Sequence, residues 1–321
     1  MENRKTISVM IPCYNEVENA RAIYEAVRDE IKTNLPEYNY EILFIDNKSQ
    51  DGTREIIKDI CQEDRNVKAI FNAKNFGQFN SPYYGIINTT GDCTVTICAD
   101  FQDPVELIPV FVREWEKGYK IVIGKKTKSR ESKLMYFLRG CYYKIIRKMS
   151  NVEMIEQFTG FGLYDRSFVK ILRDLKDPTP FIRGIVAELG PERKEIEYTQ
   201  PQRRAGKTHN NWYSLFDAAM LSFTSYTKMG MRIAEFTGFL VAMLSFLLGI
   251  FYLVAKLINW HSFVAGYAPM MIALFFIGGV QLAFMGFIGE YIMAMNARIM
   301  NRPLVVEEFR LNFEDPCDDA Q

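Results

Sequence analysis

Residues 93–104 read CTVTICADFQDP. The first part, Cys93 to Asp100, is small, β-branched or apolar and predicts a buried strand. The strand stops on Asp100, and Phe101-Gln102-Asp103-Pro104 follows as a turn. Oxygen-bearing side chains therefore collect at one strand end, with Cys98 just ahead of them. The same grammar recurs on either side. TISVMIP (6–12), YEILFIDN (40–47), VKAIFN (67–72) and YKIVIG (119–124) read as further buried strands. Between them, 16–33, 51–64 and 77–90 carry apolar residues at helical spacing. Strand and helix in alternation, with nearly continuous apolar strands, predict an α/β domain whose mostly parallel sheet is covered on both faces. Such sheets bind ligands at the carboxyl ends of their strands. Here those ends carry Pro12-Cys13-Tyr14-Asn15-Glu16, Asp46-Asn47-Lys48-Ser49, Asn75-Phe76-Gly77-Gln78 and Asp100-Phe101-Gln102-Asp103.

The 321 residues carry 39 basic and 39 acidic side chains, a net charge of zero that gives no general attraction to nucleic acid. The hydrophobic residues are unevenly spread. From Ile233 to Leu257 the charges are Glu235 and Lys256, and from Tyr267 to Asn296 there is only Glu290. Each run exceeds the ~20 apolar residues that cross a bilayer core. The alternative, two buried helices of a soluble protein, fits poorly with uncharged stretches of this length. The N-terminus MENRKTISVMIPCYNE has no apolar core of a secretory signal. Lys228 and Arg232 precede the first span, and Arg298, Arg302 and Arg310 follow the second, while the loop around Asn259-Trp260-His261 is almost free of basic residues. The positive-inside rule then places both ends in the cytoplasm, in a multi-pass protein of the inner (cytoplasmic) membrane. Six scattered cysteines without a CxxC pair suit a reducing compartment and argue against zinc.

These patterns divide the chain into a cytoplasmic catalytic domain (1–209), an interfacial amphipathic helix (210–232), a two-helix membrane hairpin (233–297) and a cytoplasmic tail (298–321) whose end, FEDPCDDAQ, is acidic and predicts disorder. Within the first, 125–148 is strongly basic and interleaved with aromatic residues, which suits the headgroup level of a membrane or a phosphate better than a merely solvated helix. Other motifs fail on inspection. GYKIVIGKK (118–126) has the spacing of a phosphate loop but lacks the final Ser or Thr, and GFGLYD (160–165) lacks the third glycine of a dinucleotide fingerprint. Gly160 and Gly162 are expected in a tight turn, and His209 and His261 belong to no triad or metal set.

A strand-end carboxylate can accept hydrogen bonds from a base or ribose, and Asp100 with Gln102 can offer oxygen to Mg²⁺ or Mn²⁺ alongside diphosphate oxygens and water. The stretches ISVMIPCYNEVEN, ILFIDNKSQDGT, AKNFGQFNSPYYG, GDCTVTICADFQDPVELI and RRAGKTHNNWYSLFDAA, in this order and followed by two spans, resemble family 2 glycosyltransferases. More narrowly, they resemble the polyprenyl-phosphate branch, dolichyl-phosphate mannose synthase-like or bactoprenol glucosyltransferase-like. The resemblance implies a GT-A fold, a nucleotide-diphosphate sugar donor, a divalent cation (Mg²⁺ or Mn²⁺), inversion at the anomeric carbon and a polyprenyl phosphate acceptor. It implies that Pro12, Tyr14, Asn15, Glu16, Asp46, Ser49, Asp51, Gly77 and Gln78 border the nucleotide. Asp100 and Gln102 match the metal and diphosphate positions, and Asp100 and Asp103 the catalytic acids. Arg203, Arg204 and Lys207, with Lys126, Arg130 and Arg139, are the expected contacts of the acceptor phosphate. The family also leans towards homo-oligomers, for which Gly278-Gly279 and Gly286 to Gly289 offer close packing.

Three departures from the family pattern stand out. Asn47 follows Asp46 where a second acid is common, Cys98 replaces an acid, and Gly160 stands where several members carry one. Loss of a catalytic base is tolerable for a phosphate acceptor. A phosphate monoester with a second pKa of about 6 is largely a dianion at neutral pH and needs no proton removed. The expectation is therefore inverting transfer, with UDP-glucose as the favoured donor, to a polyprenyl phosphate. The alternatives are a processive polysaccharide synthase, whose Gln-x-x-Arg-Trp motif is missing, and an inactive scaffold that binds nucleotide sugar.

Overall fold

Strands apolar on both faces need helices above and below, and the chain supplies them. The computed structural model describes residues 4–128, 155–190, 192–205, 267–300 and 302–313, with scattered positions between 220 and 258. In chain order these form β1 (Thr6–Cys13), α1 (Ala20–Asn34), β2 (Asn39–Asp46), α2 (Thr53–Glu63), β3 (Val67–Asn72), α3 (Gly77–Asn88), β4 (Cys93–Thr96), α4 (Leu107–Glu116), β5 (Ile121–Lys128), β6 (Phe158–Asp165), α5 (Arg166–Leu175), α6 (Ile182–Leu189), β7 (Lys194–Thr199), α7 (Tyr267–Ile299) and β8 (Glu307–Leu311). One sheet runs β7-β5-β6-β4-β1-β2-β3-β8. β1 pairs parallel with β2 on one side and β4 on the other, so strand order reverses beside β1. That reversal opens a crevice beyond the carboxyl ends of β1 and β4.

Alternation along β1 sends Ile7, Val9 and Ile11 into one core, with α1, α2 and α4, and Met10 into a second, with α3, α5 and α6. Glu41 of β2 is buried but fully paired. Lys68 on β3 lies 2.7 Å away, Thr90 donates from its backbone at 2.9 Å and its hydroxyl at 2.7 Å, and the Ser8 hydroxyl donates too.

The predicted strands and helices form, with three changes. β4 ends at Thr96 rather than Asp100, because pairing with β1 stops at Met10 and Thr96 and the Cys98 N–H turns to the Asp103 carboxylate. β5 runs on to Lys128, because β7 pairs along it from Val122 to Lys128; the start of the basic segment is therefore strand. Residues 158–165 are a strand rather than a turn, antiparallel to both β4 and β5. Gly162 serves close approach there, since a Cβ on it would lie 2.5 Å from the Val122 carbonyl oxygen. Gly160 has φ of +107°.

The first predicted span lies mostly outside the described residues. The second is α7, in which Phe276–Ile299 is 24 residues long with mean hydropathy 1.4. A buried core helix would hide such a surface, yet Leu282 is 70% and Ile299 80% exposed. Beyond it the chain returns to the sheet. β8, in the stretch assigned to the tail, pairs antiparallel with β3.

Candidate active site at the strand ends

The loops after β1 and β2 are stapled together by short polar side chains. Asn15, held at φ of 55°, donates its N–H to Ser49 Oγ at 2.9 Å and accepts the Gln50 N–H on its own Oδ1 at 2.9 Å. The Glu16 N–H donates to Thr53 Oγ1 at 2.8 Å and the Val17 N–H to Asp51 Oδ2 at 3.1 Å. Ser49 and Asp51 thus hold the β1 loop. Asp46 is buried beneath them, accepts the backbone N–H of Lys48 and of Ser49, each at 3.2 Å, and has Arg54 Nε at 3.5 Å. Burial pushes its carboxyl above the usual range, while Ser49, Arg54 and Lys48 pull it back.

Asn47 explains its own departure from an acid pair. Its Nδ2 donates to Asn75 Oδ1 at 2.8 Å and to the Gly77 carbonyl at 3.3 Å. Its Oδ1 accepts Asn72 Nδ2 at 3.1 Å and the Phe76 N–H at 2.8 Å. A side chain that must both donate and accept is an amide, not a carboxylate. Asn47 joins the ends of β2 and β3 to the start of α3.

Across the crevice, Asp100 is 5% exposed. Arg203 grips its Oδ2 through Nη2 at 2.8 Å and Nε at 2.9 Å, and its Oδ1 accepts the Gln102 N–H at 3.1 Å. Arg203 also lies 3.9 Å from Glu16, which ties the β1 and β4 ends to the segment after β7. The Arg204 N–H donates to the Asp100 carbonyl at 3.3 Å, and its guanidinium sits 5.2 Å over the Phe101 ring. Asp103 turns inward. One oxygen accepts the Cys98 N–H at 3.1 Å and the other the Tyr198 hydroxyl at 3.1 Å. Burial raises its carboxyl, with Cys98, Lys126 and Tyr198 opposing. Both oxygens being engaged suits a residue that closes the 98–103 loop and so aims Asp100 and Gln102.

Cys98 opens on one side to a cavity of ≈ 120 Å³, whose wall also includes Pro12, Gln78, Asp103, Gly160 and Arg183. Cys98 is exposed, yet loss of water on its protein side, then the Asp103 and Asp100 carboxylates, push its thiol above the usual range. The β4 end offers one carboxylate and one amide oxygen that suit a hard divalent cation. Among the described residues no three His, Cys, Asp or Glu side chains converge. By donor chemistry, an acid and an amide suit Mg²⁺ or Mn²⁺ that draws most of its ligands from phosphate and water, as Mg²⁺ commonly does.

Pro12, Tyr14, Asn15, Glu16, Asp46, Ser49, Asp51, Gly77, Gln78, Asp100, Gln102, Asp103 and Arg203 all come from the strand ends or the segment beside them. Lys126 lies on β5, opposite Tyr198. Arg130, Arg139 and Lys207 lie outside the described residues. Arg54, Tyr198, Arg183 and Glu308, whose carboxylate lies 2.9 Å from Arg54 Nη2, are additions that the sequence reading does not place at the site. An arginine just after Asp51-Gly52-Thr53 is a readable signal for Arg54, whereas the other three depend on tertiary pairing.

A family model described as Glycosyl transferase family 2 matches residues 8–172, and one described as GtrB C-terminal hairpin matches residues 238–295. The bactoprenol glucosyl transferase of Shigella phage SfX is 31% identical over 298 residues, which cover 92% of this chain and 97% of that protein. The putative glycosyltransferase CsbB of Bacillus subtilis (strain 168) is 33% identical over 297 residues, covering 92% of this chain and 89% of its own. A solved structure, mannosyl-3-phosphoglycerate synthase from Rubrobacter xylanophilus, aligns over 67% of this chain and 71% of its own with a TM-score of 0.47 and 15% identity.

Proposed function

The chain belongs to glycosyl transferase family 2 and is a glycosyltransferase, and from that premise we propose that it moves a hexose, glucose by the names of its relatives, from a nucleoside-diphosphate sugar to a polyprenyl phosphate at the cytoplasmic membrane face. The observation that carries this reading is the meeting of two strand-end carboxylates through Arg203, which lies 2.8 Å from Asp100 and 3.9 Å from Glu16. The burial of the Asp46 carboxylate on one flank supports its reading as the nucleoside contact. A cationic and oxygen-rich patch for two phosphates lies on the other.

In this reading Asp46 and the Asn15–Ser49 staple hold the nucleoside, and Asp100 and Gln102 face the diphosphate. A divalent cation held by Asp100 and Gln102 would neutralise charge on the departing diphosphate. Arg203, released from Asp100 as the donor binds, would take up phosphate charge, with Lys126 and Arg204 on the acceptor's side. An oxygen of the acceptor phosphate attacks the anomeric carbon, and the carbon–oxygen bond to the diphosphate breaks. A single displacement inverts that centre. No residue has to remove a proton, because the acceptor is already ionised at neutral pH, so glycine at 160 costs the reaction no base. Positioning and charge neutralisation carry the rate.

The exposed apolar α7 supports membrane residence, and the pairing of β8 with β3 supports a chain that re-emerges on the side it entered. Self-association through the membrane segment fits the same helix, where a Cβ at Gly278, Gly279, Gly286 or Gly289 would meet nothing within 4 Å.

The test uses the full chain in detergent with polyprenyl phosphate, Mn²⁺ and a panel of radiolabelled nucleotide sugars. Labelled lipid phosphate is expected, lost in Asp100→Ala and largely kept in Cys98→Ala. Nucleotide binding without transfer, or label in insoluble glycan, would overturn the reading.

A further inference from the structure

The strand that follows the membrane segment ends beside the loop that holds Asp46. Its register with β3 runs Ala69 to Leu311, Ile70 to Arg310 and Phe71 to Phe309, then jumps to Asn72 opposite Glu307. Glu308 is therefore an extra residue, a β-bulge. Bulges re-aim side chains and gather near active sites. Normal alternation would put Glu308 on the face opposite Phe309. The bulge instead brings both to one side of the sheet, where both meet Arg54, while Glu307 and Arg310 share the other side. Phe309 stacks on Phe71 at 4.4 Å, and the Arg54 guanidinium lies 5.2 Å from the Phe71 ring and 5.5 Å from that of Phe309. Glu307, by contrast, accepts the Tyr84 hydroxyl at 2.8 Å and pairs with Arg310.

The re-aimed carboxylate meets two cations. Glu308 Oε2 lies 2.7 Å from Lys48 Nζ and 2.9 Å from Arg54 Nη2. Both residues also serve Asp46, Lys48 through its backbone and Arg54 through its guanidinium. Lys48, at φ of 67°, donates its backbone N–H to Asp46 Oδ2 at 3.2 Å, and Arg54 Nε lies 3.5 Å from the same oxygen. Asp46 is fully buried and Arg54 nearly so, with 1% and 14% of their side-chain surfaces exposed. Arg54 is thus held on three sides by Phe71, Phe309 and Glu308, two of them on β8. Without β8, its guanidinium keeps only Phe71 and Asp46 of these neighbours.

We propose that Glu308 is a positioning residue for the donor nucleotide, acting through Arg54 and Lys48 on Asp46 and its loop, so that the returning C-terminal strand completes the nucleotide site. This rests on the reading of Asp46 as a nucleotide contact. Its consequence is that a chain whose tail has not docked binds donor weakly, which links donor use to correct return of the chain from the membrane.

The experiment measures UDP binding, with Mn²⁺ present, by titration calorimetry on the full chain in detergent, together with donor KM and kcat. Loss of a partly exposed ion-pair junction predicts that Glu308→Gln raises the UDP Kd and donor KM about three- to tenfold with kcat little changed. Glu307→Gln, on the opposite face of the same strand, should leave UDP Kd as it is. In an Arg54→Gln background, Glu308→Gln should add little, because the two act as one unit. Asp46→Asn separates the possible failures. If it weakens UDP binding and Glu308→Gln does not, the positioning role is wrong. If Glu307→Gln weakens binding as much as Glu308→Gln, strand docking alone is responsible and the role is again wrong. If Asp46→Asn leaves UDP binding intact, the nucleotide-site reading itself fails.

Discussion

Asn47→Asp replaces one atom group and reverses half of a hydrogen-bond network. Asn47 Nδ2 donates to Asn75 Oδ1 at 2.8 Å and to the Gly77 carbonyl at 3.3 Å. A carboxylate in the same place offers oxygen to both acceptors, so two bonds are lost and two lone-pair contacts are gained. Each lost bond costs about 1 kcal/mol, and Asn75 and Gly77 are exposed, so water can meet the acceptors that are freed. Turning Asn75 over gives no escape, because its Oδ1 already accepts the Gly77 N–H at 2.8 Å. The new charge also sits next in sequence to Asp46, which is itself buried. The two lost bonds and the added charge together cost about 2–3 kcal/mol, which lowers the melting temperature of a domain of this size by about 5–10 °C. Thermal unfolding of the full chain, followed with and without UDP and Mn²⁺, reads the effect. The loss should shrink as pH falls towards about 4, the usual aspartate range, where the substituted carboxyl is protonated and can donate once. If Asn47→Asp left the melting temperature unchanged, or tightened Mn²⁺ binding, residue 47 would be a ligand position and not the structural tie between β2, β3 and α3.

Gly162→Ala should destabilise the protein by about 1–3 kcal/mol in denaturant unfolding, because its Cβ would lie 2.5 Å from a backbone oxygen of β5 that has little room to move. Lys68→Met removes the cation from a Glu41 that is 4% exposed and should cost about 3 kcal/mol. Burial disfavours the Glu41 charge, but Lys68, Ser8 and Thr90 outweigh it and hold the carboxyl below its usual range. That stability is present above the unfolded value of about 4.3 and lost as pH falls through the folded one, so the variant's acid-unfolding midpoint should move to higher pH. Asp103→Asn should keep most of the transfer rate, since an amide can accept from the Cys98 N–H and donate to Tyr198 Oη; a loss as deep as that of Asp100→Ala would show that Asp103 takes part in the chemistry.

The parallel core is legible because each of its strands announces itself. Residues 41–46 of β2 are buried without a break, and a run of that kind has no other home than a sheet covered on both faces. The same is true of the acidic or amide residue that ends it. β6 reads as a turn because glycine marks turns more often than close strand approach, and only the neighbour, β5, reveals which is meant. β8 is a short run, EEFRL, whose two apolar residues, Phe309 and Leu311, are too few to announce a strand, and it becomes one by meeting the edge of β3. Within the site, the location of Asp46, Asp100 and Gln102 at or just beyond the strand ends can be read from the sequence alone. The grip of Arg203 on Asp100, the clamp from Asp103 to Tyr198 and the bulge at Glu308 join residues far apart in the chain and follow from the fold.

The most direct test of the central claim compares two acceptors that differ only in the phosphate. The full chain in detergent receives radiolabelled UDP-glucose and Mn²⁺ with either polyprenyl phosphate or the parent polyprenol, and the lipid phase is counted. Label is expected in polyprenyl phosphate alone, with a rate that rises through about pH 6 as the acceptor loses its second proton and then levels off. Equal labelling of polyprenol would mean that a base exists and that the acceptor's own charge is not what drives the reaction, and no lipid label from either acceptor would mean that the chain is not a polyprenyl-phosphate glucosyltransferase.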